Sequence, residues 1–487
     1  MLRQKQHTEK QKGQTMRTHC ISKQFSFQDM EHRKVISAFD GGHITSDAGG
    51  LLLREIEFGQ QFISRFASCF IDLRKPRFVE HSVAELVAQR TYGLCLGNED
   101  LNDHDLLRAD PLLALLCGKQ DVEGKNRRDA RDRGKALAGK STLNRLETAG
   151  SLLSKRPRYK KIIAEMEELE EFFVNTFVRI TKKPPEMLVL DFDATDDPLH
   201  GNQEGRFFHG YYDCYCYLPL YVFCGDHLLW AQLRKADIDA SAGSVQVLER
   251  LVKIIRHKWP LVTILLRGDS GFCREALMKW CETHGVKYLL GLAKNKRLLK
   301  KLTRPMKKAK RDWATTGRAS RRFIQFSYRT RSSWTRSRRV VGKAEYMDKG
   351  ENPRFVVTNL SSEEYAAQEL YEKVYCARGE MENRIKEQQL YLFADRTSSA
   401  TMRANQIRLW FSSLAYVIMN ELRSVGLQGT RMAEATCQTM RLKLLKIGAQ
   451  VRLSVRRVSI SMASGYPDQI LFGTILENLQ RAYRLQC

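Results

Sequence analysis

Residues 187–201 read MLVLDFDATDDPLHG, and the placement of their carboxylates decides how the chain is read. An apolar run reads as a buried strand, and Asp191, Asp193, Asp196 and Asp197 crowd its end within seven positions. Carboxylates are costly to gather unless a cation sits among them. Residues two apart on a strand share a face, so Asp191 and Asp193 point the same way. Asp193 stands at the strand's carboxyl end, where α/β sheets hold ligands. That position and its Asp-x-Thr context favour Asp193 as a metal ligand, with Asp191 the alternative. Asp196 and Asp197, beside Pro198, read as turn-capping residues.

Working outward, YYDCYCYLPLYVF and HLLWAQLR read as two more strands joined at Gly225-Asp226, a pair suited to a tight hairpin. GSVQVLERLVKIIRHKW (243–259) is an amphipathic helix, LVTILLRGD (261–269) a buried strand, GFCREALMKWCETHG a helix and VKYLLGLA (286–293) a further strand. The order β-β-β-α-β-α-β combines a meander with right-handed crossovers, the order of a ribonuclease-H-like sheet. In that sheet the strand ending at Asp193 and the strand ending before Asp269 are neighbours, so the two carboxylates share one edge.

A third acid comes from YCARGEMENRIKEQ (375–388). Tyr375, Arg378, Glu382 and Lys386 fall at i, i+3, i+7 and i+11, one face of a helix. Gly379 within it costs about 1 kcal/mol against alanine; close backbone approach to a partner is one reason to accept it. Taken alone, this face reads as a solvated set of ion pairs. The company of the two aspartates changes that.

DFDAT after a strand, LLRGDSGF, and Tyr-x-x-Arg-x-x-x-Glu on a late helix together resemble bacterial insertion-sequence transposases of the Asp-Asp-Glu type. The likeness is to the branch with a β-rich insertion between the second aspartate and the glutamate, and it runs from about residue 25 to the C-terminus. It implies catalytic and metal-binding positions at Asp193, Asp269 and Glu382, with Tyr375 and Arg378 flanking the third. Relatives often carry a lysine seven residues after the glutamate; Gln389 stands there in this chain, and Lys386 is the conjectural substitute. Two Mg²⁺ or Mn²⁺ ions, double-stranded DNA as element ends and target, a homodimer in a synaptic complex, no ATP and a bacterial cytoplasmic, nucleoid-associated location follow from the same resemblance. A metal-dependent nuclease of the same fold without strand transfer, or an inactive DNA-binding protein, are the competing readings.

Charge points the same way. The 487 residues carry 81 Lys and Arg against 55 Asp and Glu, a formal charge of +26, which favours polyanionic partners. No apolar run approaches the roughly 18–20 residues of a membrane span. Residues 1–25 read as a disordered basic leader and 26–185 as a mainly helical DNA-binding region closed by Lys182-Lys183-Pro184-Pro185. Residues 186–293 are the first part of the core, 294–360 a basic β-rich insertion, 361–400 the catalytic helix, and 401–487 a helical end with RLKLLKIGAQVRLSVRR as a second basic patch. Within 294–343 there are 19 Lys and Arg against Asp312 alone. The expected DNA contacts are Lys294, Lys296, Arg297, Trp313, Arg318, Arg321, Arg322, Trp334, Arg336, Arg338 and Arg339, with Trp313 or Trp334 able to stack on an unpaired base or pack in a core.

Other signals carry less. GKALAGKS (134–141) matches a phosphate loop, but NRRDARDR precedes it in place of the buried strand that loop requires. Cys214, Cys216 and Cys224 lack the paired spacing of a zinc site. His200 and His209 read as loop histidines.

Overall fold

In a computed structural model, residues 24–151, 161–183 and 185–484 are described; most of the expected leader lies outside them. The centre is a mixed sheet. Its strands are β1 (Met187–Ala194), β2 (Leu220–Cys224), β3 (His227–Gln232), β4 (Thr263–Gly268), β5 (Lys287–Leu292), β6 (Ser320–Tyr328), β7 (Arg338–Met347) and β8 (Arg354–Thr358). The order across the sheet is β3-β2-β1-β4-β5-β8-β7-β6, with Gly350–Glu351 pairing on β7. β2 and β3 form the hairpin at Gly225-Asp226, where Gly225 takes φ +57°. β4 runs parallel to both β1 and β5, so the two crossovers place three carboxyl ends at one edge. The segment read as an insertion is continuous with the sheet, because β8 pairs antiparallel with β5 and β7 with β8.

Helices cover both faces. On one side Ser244–Lys258 and Glu275–Thr283 bury Val247, Leu248, Leu251, Leu277 and Met278 against Leu188, Leu190, Ile264, Leu266 and Leu290. On the other, Leu370 and Tyr371 pack on Leu265, Leu289, Val341 and Val356. The alternation of Leu265 and Leu266 to opposite faces is the two-residue period of a strand buried on both sides.

Three local readings are corrected. The basic segment opens with a helix, Lys296–Thr316, capped by Asn295 and ended by Gly317 at φ +66°. The C-terminal region is not wholly helical: Ala449–Leu453 and Val458–Met462 form a small sheet with His43–Thr45. β-branched alternation and a turn at Ser454–Arg457 explain those strands. Within the region read as mainly helical, Ile162–Ala164 is a strand paired with Phe70–Asp72, and the helix that follows starts at Met166. The helical segments before and after the sheet share one core, in which Leu52, Phe66 and Leu86 meet Trp410, Phe411 and Leu414. Glu147 is fixed in that core by Arg90 and Arg408. No helix among the described residues is long and apolar enough to cross a membrane.

Candidate active site

Asp193 and Asp269 come together through strand register. Phe192 is level with Gly268 in the parallel β1–β4 pair, so Asp193, still paired with Tyr221 of β2, and Asp269, the first residue past β4, stand side by side. Asp269 Oδ1 accepts the Gly271 amide at 2.8 Å, so this residue also caps the turn that follows. Glu382 arrives from the other face on Gly379–Leu392, the last part of a continuous run that begins at Ala367, widens at Leu370–Tyr375 and tightens at Cys376–Arg378. Arg378 joins the acids. Its Nη2 donates to Glu382 Oε1 at 2.5 Å, and its Nη1 lies 3.5 Å from Asp193 Oδ1.

Burial is the largest influence on Asp193 and pushes its carboxyl up to about 7; Arg378 opposes this, while Asp269 and Glu382 add to it. Asp193 and Glu382 flank the Arg378 guanidinium at the carboxyl end of the sheet, and the Asp269 charge acts on it as well. Burial pushes Tyr375 above the usual tyrosine range, with Asp269 adding to it and Arg378 opposing. The Tyr375 hydroxyl sits over Gly291: a Cβ there would lie 2.6 Å from Tyr375 Oη and 2.8 Å from the Ser270 amide nitrogen. Gly291 was not singled out in the sequence, although a glycine inside an apolar strand signals such an approach.

Asp191 is elsewhere. It lies opposite Arg267 in the β1–β4 register and accepts from Arg267 Nε and Nη2, at 2.5 and 2.7 Å, while Arg267 Nη1 donates to the Val374 carbonyl. Asp197 is no turn cap at the surface. It is 2 % exposed, accepts the Thr397 hydroxyl at 3.3 Å, and leaves Oδ2 without a partner. Gly379, expected to make room for close approach, has open space around it within the chain. Among the described residues no group of three or more His, Cys, Asp or Glu is gathered closely enough to enclose a metal ion. That includes Asp193, Asp269 and Glu382 as they stand around Arg378, as well as the Cys214, Cys216 and Cys224 group and His200 and His209.

The family model for the group 1 transposase DDE domain matches residues 27–484. The chain belongs to that transposase family. No curated protein matches this transposase-family chain. Among solved structures, it is similar to piggyBac transposase in a synaptic complex with hairpin DNA, at TM-score 0.39 and 11% identity, over 91% of this chain and 82% of that one.

The remaining expected residues of this family member separate by burial and pairing. Lys386 is exposed and enters no ion pair among the described residues. Gln389 donates to the Asp196 carbonyl at 3.1 Å and lines a cavity of about 440 Å³ with His200, Gln203 and Asp395. Lys294, Lys296, Arg297 and Arg318 are exposed. Arg321, Arg322 and Arg336 pair with Glu345, Asp312 and Glu282. Arg339 donates to the Leu360, Ser361 and Tyr365 carbonyls. Trp313 packs on Tyr346 at 5.0 Å and donates to Asp348. Two expectations are corrected outright: Trp334 and Arg338 are each 4 % exposed, so neither is a surface contact. Arg338 neutralises Glu275 and Glu282 while covering the Trp334 ring. At Lys140 the phosphate-loop reading meets Asp105, whose carboxylate already takes the Lys140 amide and ammonium, and no strand precedes the loop.

Proposed function

We propose that the chain is a DNA transposase with a ribonuclease-H-like core, strands β1 to β5, that cuts at the terminal repeats of its mobile element and joins the ends to target DNA. The observation that carries this reading is the meeting of Asp193 and Asp269 at adjacent parallel strand ends, with Glu382 tied to the same point through Arg378.

Asp193, Asp269 and Glu382 would hold the metal. The fit rests on the donor set: hard carboxylate oxygens suit Mg²⁺ or Mn²⁺, and Asp193 and Asp269 lie at adjacent strand ends with Glu382 tied to Asp193 through Arg378. When bound, two such ions supply the charge that stabilises attacking and leaving oxygens in an in-line phosphoryl displacement. The chain's own residues do the rest. Arg378 would meet a phosphate oxygen beside the acids it already contacts, and Tyr375 places a hydroxyl beside the Asp269 turn. The Arg267–Asp191 pair locks β1 to β4 beneath them. Partners on this reading are element-end and target duplexes and a second copy of the chain in a synaptic complex, in a bacterial cytoplasm.

The test incubates purified protein with Mg²⁺ or Mn²⁺ and a labelled terminal-repeat duplex. Expected are nicking and strand joining, each reduced at least about 10³-fold in Asp269→Ala and Glu382→Ala. Nicking that persists in both variants defeats the assignment; nicking without joining makes the protein a nuclease.

A further inference from the structure

Residues 296–316 are the most cationic segment of the chain that lies in one element, and their pattern is two-sided. Leu298, Leu302, Met306 and Ala309 are buried, at intervals of four, four and three. The first three of these share a core with Tyr328, Val340 and Ala344 of the sheet. At about 100° per residue, the opposite side of the helix carries Lys296, Lys300, Arg304, Lys307 and Arg311, at intervals of four, four, three and four. All five are exposed, and none makes an ion pair or a side-chain hydrogen bond among the described residues. The neighbouring strands and the loop between them differ: Arg321, Arg322, Arg336 and Arg338 are neutralised by acids of the same chain. Unpaired positive charge in this part of the molecule is therefore richest on this helix, where Arg297, Lys301, Lys308 and Lys310 flank the face and also lack an acid partner among the described residues.

We infer that this face is a sequence-independent track for the phosphate backbone of duplex DNA. The inference rests on the transposase reading and adds to it the surface that carries non-specific grip. From Lys296 to Arg311 the helix rises about 22 Å, the length of about six base pairs at 3.4 Å each. Regularly spaced ammonium and guanidinium groups with no internal partner suit a phosphate row and read no base edges. The apolar side is consumed by the core, so the face offers nothing to a membrane, whose binding needs that side. The track also starts at the right place. Asn295 caps the helix four residues after Gly291, the glycine beneath Tyr375 and beside Asp269. A duplex held along the track enters or leaves at the acid cluster.

The test compares wild type with a Lys300→Ala, Arg304→Ala, Lys307→Ala, Arg311→Ala variant, measuring affinity for a terminal-repeat duplex and an unrelated duplex of equal length across a salt series. Exposed alanines favour helix, so thermal unfolding should not change. Expected is a loss of at least about 100-fold on both duplexes, with the slope of log affinity against log salt shallower by about 3 to 4, since each phosphate contact contributes about 0.9. Wild-type affinity and slope in the variant overturn the track. So does a variant that keeps DNA affinity but loses self-association by light scattering, which would assign the face to an acidic protein surface. Failure of the wild type to cleave any duplex counts against the transposase reading, and leaves the salt series to decide the track separately.

Discussion

Arg267 holds Asp191 through both carboxylate oxygens, at 2.5 and 2.7 Å, inside the sheet. Removing one member of such a buried pair strands the other charge, at a cost of about 3–5 kcal/mol. Asp191→Ala is therefore expected to lower stability by that amount in urea unfolding. Asp193→Ala is expected to leave stability unchanged or higher while abolishing cleavage, because it relieves crowding around Arg378. Equal destabilisation by the two substitutions would show that both acids are structural.

The raised carboxyl of Asp193 sets a pH dependence. Its folded pKa of about 7 lies above its unfolded value near 4, so the native state holds a proton that the unfolded chain has released. Unfolding free energy from this group is thus undiminished below about pH 4 and falls as pH rises towards 7. Asp193→Asn should flatten that fall, melting above wild type at pH 7.5 and with it at pH 4. Cation binding needs the ionised form, so the rise in melting temperature given by Mg²⁺ should grow from pH 5.5 to 7.5 in wild type and vanish in the variant.

Asp197 carries a second, separate penalty. Burial, Asp395 and Asp196 push its carboxyl well above the usual range, against the Thr397 hydroxyl, and Oδ2 has no partner. By the same sign, ionisation above pH 4 costs native stability. Asp197→Asn should stabilise the protein by about 1 kcal/mol at pH 7 and by nothing near pH 4, as read from thermal melts. A loss at pH 7 would show that the ionised carboxylate is needed.

Period-two patterning and strand-end acids made the central sheet legible, down to the pairing of β1 with β4. Arg267 in LLRGD was a further signal: a cation inside an apolar strand demands a partner, and register supplies Asp191. The helix from Lys296 was hidden because its cations outnumber the four apolar residues whose spacing marks it. The pairing of His43–Thr45 with Ala449–Leu453 joins segments some four hundred positions apart, and nothing local encodes it. Trp313 and Trp334 could not be told apart in sequence, since both sit among arginines; only packing separates them.

That packing makes a contrast. Trp334 meets Tyr328 edge-on at 5.7 Å under the Arg338 guanidinium, within the core. Trp334→Ala should cost about 3–5 kcal/mol. Trp313 is half-buried, so Trp313→Ala should cost less, about 1–2 kcal/mol. Urea denaturation checks the order. A Trp334→Ala protein of native stability that fails to hold cleaved ends would restore the base-stacking role.

Two residues on the Glu382 helix should divide binding from turnover. Lys386 is exposed and unpaired, one turn beyond Glu382. Lys386→Ala is expected to leave stability within about 0.5 kcal/mol and to weaken DNA affinity about 3- to 10-fold at low salt, with little change in the rate on saturating DNA. Gln389 instead fixes the Asp196 carbonyl, three residues beyond Asp193. Gln389→Ala should slow single-turnover cleavage at saturating DNA with affinity retained, since loosening that loop misplaces Asp193. Gln389→Lys keeps a donor for the same carbonyl and should recover the rate. A lysine that recovers affinity but not rate would place position 389 on phosphate.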